Sequence, residues 1–93
     1  MIRSFKDKHL EQFYHTGKSR IIKSSLHKRI LMKLDSMDAA TCAEDLQNPL
    51  SNNLHKLQGE YVGYWAISVN GPWRLVFRIQ DNDIYDVMLV QYH

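Results

Sequence analysis

The fold is decided by residues 63–79, GYWAISVNGPWRLVFRI, where two alternating runs flank a turn signal. In both runs large apolar side chains occupy every second position, which is typical of strands with one buried face. Asn70-Gly71 between the runs favours a hairpin, although Pro72 complicates a two-residue turn. One face of the predicted hairpin then carries Trp65, Ile67, Val69, Trp73, Leu75, Phe77 and Ile79.

Strand signals also lie at both ends of the chain. Residues 84–92 are rich in Val, Ile, Leu and Tyr and follow a turn signal at residues 81–83, so they predict a further strand. Residues 1–5 predict a short first strand. Residues 48–60 are turn-rich and predict a loop that leads into a strand before the hairpin.

Helical periodicity is confined to the first half of the chain. A brief helix is predicted to end at Gly17, because glycine is a common helix stop. From Ser19 a longer amphipathic helix is predicted on the spacing of Ile22, Leu26, Ile30, Leu34 and Met37. Thr41 and Glu44 fit a capping box, which starts a short helix that Pro49 limits. Helices followed by an antiparallel meander predict an α+β fold with the helices on one sheet face.

Length and composition restrict the class of protein. The chain has 93 residues, of which 44% are apolar, and this is enough for one modest core, so residues 1–93 are predicted to form one domain. No apolar run approaches the length of a membrane span, and the N-terminal residues lack the apolar segment of a secretory signal. The single cysteine, Cys42, cannot form an internal disulfide. Together these features predict a cytoplasmic location.

The net charge of +2 hides a strong asymmetry between the two ends of the chain. Residues 1–33 hold nine Lys and Arg against two acidic residues, a net charge of +7, whereas residues 34–93 carry a net charge of −5. A basic segment of this kind is typical of contact with a polyanion such as RNA. The alternative interpretation is a solvated helix surface, and charge alone favours this alternative.

The candidate chemistry resides in polar groups on the predicted sheet. The five histidines lack metal-ligand spacing, and the sequence has no Gly-rich phosphate loop or serine-nucleophile motif, so no metal or other cofactor is predicted. Metal-free cleavage of RNA needs a base, a cation for the charged phosphorane and an acid, and histidine and arginine supply these functions. The candidates are His55, Lys56, Arg74, Arg78, Tyr92 and His93. Each of them alone is equally compatible with an ordinary surface residue.

Several short motifs resemble those of the HigB toxins in the RelE/ParE superfamily of bacterial toxin–antitoxin modules. They are Leu54-His55-x-Leu57-x-Gly59, Gly63-Tyr64-Trp65-x-Ile67-x-Val69-Asn70, Trp73-Arg74-Leu75-x-Phe77 and the closing Tyr92-His93. Their order and spacing extend the resemblance over essentially the whole chain. The resemblance implies a RelE-like fold, with an N-terminal strand and helices on one face of a curved, mainly antiparallel sheet. It also implies metal-independent, ribosome-dependent cleavage of mRNA through the RNA 2′-hydroxyl, which inhibits translation.

The same resemblance implies partners and site residues. The implied partners are the ribosome, mRNA and a HigA-like antitoxin with a helix-turn-helix domain, and operator DNA would be contacted only through that antitoxin. By position, His55 would transfer protons and Arg74 would stabilise the phosphate. The terminal Tyr92 and His93 would contact substrate. The predicted RNA-binding residues are Lys56, Asn70, Arg78 and Gln91.

One departure from the family pattern concerns Gln91, because many relatives carry aspartate before the closing Tyr-His. Glutamine cannot accept a proton at neutral pH, so any activating role of this position is weakened. Two further functions stay open on the sequence alone. One is a non-catalytic toxin of the ParE branch, which inhibits DNA gyrase. The other is a decayed toxin that only holds the antitoxin on DNA.

Overall fold

The computed structural model describes residues 1–92, which form two α-helices and one four-stranded sheet. Helix α1 spans Lys8–Thr16 and helix α2 spans His27–Ala39. The strands are β1 (His55–Lys56), β2 (Trp65–Asn70), β3 (Trp73–Gln80) and β4 (Asp83–Gln91). Short 3-10 turns at Ser24–Leu26, Ala43–Gln47, Leu50–Asn52 and Gly59–Tyr61 connect them. The predicted α+β class is confirmed.

The strands follow one another in the sheet as β1-β2-β3-β4, and every neighbouring pair is antiparallel. The predicted hairpin at Asn70-Gly71 is confirmed as the connection between β2 and β3. The predicted first strand is reduced to two isolated parallel bridges, from Ile2 to Ile84 and from Phe5 to Val87. The N-terminal segment therefore covers the outer edge of β4.

Both helices pack on one face of the sheet, which we call the helix-packed face. The buried cluster combines helix residues such as Phe13 and Leu34 with Ile67, Leu75 and Phe77 of the strands. Trp65 and Trp73 pack against the same cluster, as the alternation of the hairpin predicts. Among residues 1–92, neither helix has the length and hydrophobicity that a membrane crossing requires.

The start of the second helix differs from the prediction. Periodicity placed it near Ser19, but α2 begins at His27. The Ser19 Oγ accepts hydrogen bonds from the amides of Ile21 and Ile22, at 3.1 and 3.0 Å, as a helix N-cap does, but the non-helical backbone of Lys23 (φ −53°, ψ 126°) interrupts the helix there. Ile22 is still buried, but a loop rather than a helix delivers it to the core.

The predicted capping box is wrong in its partner. Asp45, and not Glu44, reaches back to Thr41, because its Oδ2 accepts from the Thr41 amide at 2.9 Å and from the Thr41 hydroxyl at 3.1 Å. The segment that follows is a 3-10 turn, Ala43–Gln47, and not an α-helix. The cap of this turn is Cys42 and not Thr41, so Asp45 occupies the position three residues after the cap at which a capping box places its carboxylate.

The N-terminus is held to β4 by the carboxylate of Asp83, and the contribution of this carboxylate to folding stability should depend on pH. Asp83 accepts from the Arg3 Nε at 3.0 Å and lies 3.4 Å from the terminal ammonium. The hydrogen bond from Arg3, with help from the ammonium, lowers the pKa of Asp83 from its ordinary value. A carboxyl whose pKa is lowered by folding stabilises the fold above its unfolded-state pKa, and this contribution disappears as the pH falls.

We therefore expect Asp83→Asn to lower the thermal midpoint at neutral pH, and we expect this deficit to shrink from about pH 5 downward. Thermal unfolding of both proteins across that pH range measures it. Asp81→Asn is the matched control, because Asp81 lies in the same turn but in none of the ion pairs of residues 1–92. A deficit that stays constant with pH would contradict the assignment.

Candidate active site on the outer face of the sheet

The candidate site lies on the face of the sheet opposite to the helices, which we call the outer face. In antiparallel strands, directly paired residues project to the same face. His55 pairs with Ala66, which pairs with Val76, so these three form one row across β1, β2 and β3. Ala66 and Val76 are fully buried, although they are outside the helix-packed cluster. They form an apolar floor between His55 and the residues farther along β3.

His55 is held in one orientation by its own loop. Its Nδ1 lies 2.7 Å from the carbonyl oxygen of Asn53, a residue with a left-handed backbone at φ 50°. Because a carbonyl only accepts, Nδ1 must carry a proton. In a neutral ring this leaves Nε2 unprotonated and able to accept a proton from another molecule. The ring is half-buried at the edge strand of the sheet.

Arg74 lies on the same face, two residues along β3 from Val76. Its Nη1 donates to the carbonyl oxygens of Gly71 and Trp73, at 2.6 and 3.0 Å, so the β2–β3 turn fixes the guanidinium. Its Nε is buried and has no hydrogen-bond partner within residues 1–92. A buried donor without a partner is costly in a folded protein.

Tyr92 completes this group. Its amide donates to the carbonyl of Pro72 at 2.7 Å, and its ring lies 5.6 Å from the Arg74 guanidinium carbon. Burial is the main cause that raises the pKa of the Tyr92 phenol, while Arg74 opposes the shift and Tyr61 adds to it. The hydroxyl therefore keeps its proton at neutral pH and can donate a hydrogen bond.

Three residues that the sequence analysis did not select also border this face. The rings of Tyr61 and Tyr64 meet edge to face with centroids 6.2 Å apart, and the Lys6 ammonium lies 5.9 Å from the Tyr64 centroid. Alternation already placed Tyr64 on the face of Ala66. Tyr61 and Lys6 arrive from a turn and from the N-terminal segment, so no periodic signal marked them.

The remaining predicted site residues are distributed over different parts of the sheet. Arg78 lies on the outer face and pairs with Asp86 at 3.6 Å, and Asn70 is exposed at the β2–β3 turn.

The structure does not bring Lys56 and Gln91 to the outer face. Lys56 pairs with Trp65 and holds its ammonium 5.2 Å from that ring, while Gln91 pairs with Trp73, so strand alternation directs both toward the helix-packed face. His93 lies outside the described residues.

The described part of the site contains hydrogen-bond donors, one oriented imidazole and aromatic rings. In residues 1–92, no group of three or more His, Cys, Asp or Glu side chains is arranged to hold a metal ion. The distance from His55 to Val76 is two strand spacings, about 10 Å between Cα atoms. Arg74 lies two residues farther along β3, so His55 and Arg74 border the same apolar floor from different sides.

Solved structures with the same architecture define the class of fold. A mutant of YafQ from Escherichia coli superposes with a TM-score of 0.64 at 14% identity, over 98% of this chain and 91% of that one. YoeB in its heterotetrameric complex with YefM from Staphylococcus aureus gives a TM-score of 0.60 at 21% identity, over 100% and 95% of the two chains. At these identities the likeness shows the fold alone, and that fold is the one of the YafQ and YoeB toxins.

Sequence relatives narrow the class to one family. Residues 3–93 match the family model described as RelE-like toxin of type II toxin-antitoxin system HigB. Toxin HigB-1 of Vibrio cholerae is 42% identical over 82 residues, which cover 87% of this chain and 86% of that protein. Endoribonuclease HigB of Proteus vulgaris is 33% identical over 93 residues, the full length of both chains. The chain belongs to the HigB-like family of type II toxins, as its motifs predict.

Proposed function

We propose that this chain is a ribosome-dependent mRNA endonuclease that acts in the cytoplasm and inhibits translation. The observation that carries the proposal is the shared outer face, where the His55 ring, oriented through its Nδ1, and the guanidinium of Arg74 flank one apolar floor. A full-length relative named Endoribonuclease HigB supports it. A gyrase inhibitor would have no use for an oriented imidazole beside a phosphate-binding cation.

In the proposed reaction, the RNA 2′-hydroxyl attacks the adjacent phosphorus while His55 Nε2 takes its proton. A new P–O2′ bond forms and the P–O5′ bond breaks, so the products are a 2′,3′-cyclic phosphate and a 5′-hydroxyl. Arg74 donates hydrogen bonds to the phosphorane oxygens, where negative charge accumulates in the transition state. His93 is our candidate for the acid that protonates the 5′-oxygen, on residue type and family resemblance alone.

The other residues of the outer face are proposed to position the RNA substrate. Tyr92 donates its hydroxyl hydrogen to the phosphate, and the Tyr61 and Tyr64 rings stack on flanking bases, which is how proteins commonly hold splayed single-stranded RNA. Lys6, Asn70 and Arg78 are proposed to contact the RNA backbone. Lys56 and Gln91 are left out of this proposal because they lie on the other side of the sheet.

The proposed partners follow from the family. Type II toxins are encoded with an antitoxin, and YoeB from Staphylococcus aureus is found in a complex with YefM. For this chain we propose a HigA-like antitoxin with a helix-turn-helix domain, which would mediate any contact with operator DNA.

Brief induction of the chain is expected to stop protein synthesis while DNA synthesis continues. Pulse labelling of both processes measures this difference. Mapping of new mRNA 5′ ends should show hydroxyl-terminated fragments within translated regions, and these fragments should be absent when Arg74→Ala is induced. A fall in DNA synthesis with double-strand breaks would instead support gyrase inhibition and would sink the nuclease proposal.

A further inference from the structure

A second cationic site lies at the free edge of β2, outside the group built around His55 and Arg74. The pairing of β1 with β2 ends at Ala66, so the edge of β2 beyond it has no strand neighbour within residues 1–92. There, α2 and the loop before β1 line an open pocket of about 280 Å³. We call it the edge pocket, and its lining residues are Arg29, Met32, Lys33, Pro49, Ser51, Ser68 and Val69.

Two cations share this pocket without a compensating anion in the described part of the chain. Arg29 and Lys33 are four residues apart on α2, a spacing at which like charges destabilise a helix. Burial is the main cause that lowers the pKa of Lys33, and the nearby charge of Arg29 adds to it. The ion pairs within residues 1–92 involve other groups, so no carboxylate there neutralises either cation.

The two cations are also held in place by the fold. The Lys33 ammonium donates to the Oδ1 of Asn52, which is only 1% exposed and is the one buried polar side chain in the described part of the chain. The Nδ2 of Asn52 donates to the carbonyls of Leu46 and Asn48, at 3.1 and 3.2 Å. Arg29 donates to the free-edge carbonyl of Val69 at 3.3 Å. Asn52 thus fixes the ammonium from below, and one hydrogen bond joins the exposed Arg29 guanidinium to the sheet edge.

The position of the edge pocket relates it to the candidate active site. Ser68, which lines the pocket, pairs directly with Arg74 across β2 and β3. Directly paired residues in antiparallel strands have Cα atoms about 5 Å apart. A strand of RNA whose scissile phosphate contacts Arg74 can therefore pass over the β2 edge and bring another of its phosphates to the edge pocket.

We infer that the edge pocket binds a backbone phosphate of the RNA strand that is cleaved at the outer face, an inference that rests on the proposed function. Arg29 and Lys33 supply the positive charge, and the Ser51 and Ser68 hydroxyls supply neutral donors. A bound phosphate relieves the repulsion between the two cations. The pocket reads no base, so it adds affinity and register without sequence preference.

Binding of a 2′-O-methyl RNA hexanucleotide tests the inference, because methylation removes the nucleophile and separates binding from cleavage. Fluorescence anisotropy over a series of KCl concentrations gives the dissociation constant and its salt dependence. For the double variant Arg29→Gln/Lys33→Gln we expect affinity to fall on the order of tenfold. The slope of log K against log salt should become shallower by about 0.7, the value for one phosphate contact on a single strand.

The matched control is Lys8→Gln/Lys18→Gln, which removes the same charge from exposed positions outside the pocket. Equal losses of affinity in the two double variants would overturn the inference, because they would show a general charge effect. Thermal unfolding checks that both variants fold.

Ser51→Asp provides a test that leaves both cations in place, because it adds a carboxylate to the pocket at an exposed position. We expect higher thermal stability together with weaker hexanucleotide binding, while Asn82→Asp in the β3–β4 turn should change binding much less. Unchanged binding by Ser51→Asp would contradict the pocket assignment.

Two further outcomes separate this inference from its alternatives. If the pocket variants lose affinity only for ribosomes that carry no mRNA, and bind the hexanucleotide normally, the pocket holds ribosomal phosphate and the assignment to the cleaved strand is wrong. If the hexanucleotide binds through the pocket but the wild-type chain cuts no mRNA on ribosomes, the proposed function fails and the pocket stands.

Discussion

Replacement of Arg74 by alanine is expected to lower the rate of mRNA cleavage by roughly 10²–10³-fold, the cost of removing one preorganised donor to an oxyanion. The guanidinium is held by the carbonyls of Gly71 and Trp73 before substrate arrives, so it needs little reorganisation as charge develops on the phosphorane. Its buried Nε has no other partner in residues 1–92. Single-turnover cleavage on programmed ribosomes measures the effect on the chemical step.

The control for Arg74 is Arg78→Ala, which removes the same charge from the same strand. Arg78 already pairs with Asp86, so we expect a much smaller effect on cleavage. Arg74→Lys keeps the charge but loses the planar fork, and it should recover only part of the rate. If Arg74→Ala folds normally and cleaves at the wild-type rate, Arg74 has no part in the mechanism.

Replacement of His55 by asparagine is expected to lower cleavage by about 10²–10⁴-fold, the usual contribution of a general base. Asparagine is the informative choice because its amide nitrogen occupies nearly the place of Nδ1 and can still donate to the Asn53 carbonyl. The local loop is then retained while the proton acceptor at Nε2 is lost. His9→Asn on the exposed surface of α1 removes a histidine elsewhere and should leave cleavage unchanged.

A rescue experiment separates a proton-transfer role of His55 from a positioning role. In His55→Ala the ring is absent, and imidazole added to the buffer can occupy the vacated place and accept the proton. We expect partial recovery of the cleavage rate with added imidazole, and no recovery for Arg74→Ala. Normal cleavage by His55→Asn would show that the ring only supports the loop and that the general base is another residue.

Features that depend on short-range periodicity could be predicted from the sequence. The positions of the β2–β3 hairpin and of the helix stop at Gly17, and the division of β2 and β3 into an apolar face and a face carrying Arg74, are all confirmed. These features repeat every two or four residues, so neighbouring side chains largely decide them. The motifs around His55 and Arg74 were equally local, and they placed the chain in its family.

The grouping of the site residues was harder to predict from the sequence. Alternation puts Lys56 on the face opposite to its neighbour His55, but only the pairing of β1 with β2 showed that these two residues form a strand. Likewise, only the pairing of Gln91 with Trp73 assigned Gln91 to the helix-packed face. Tyr61 reaches the neighbourhood of Tyr92 through a turn that has no period. Periodicity placed the start of α2 several residues too early because the backbone of Lys23 is not helical.

The class of the fold, its hairpin and the toxin family of the chain could be predicted from the sequence, because periodicity and motif spacing are local properties of the chain. The grouping of the polar side chains depends on tertiary packing. The edge pocket shows the reason most clearly, since Arg29 and Lys33 come from α2, Asn52 comes from a loop and Ser68 comes from a strand. Such groups come together through the packing of a core that the whole chain shares, and no local pattern encodes that packing.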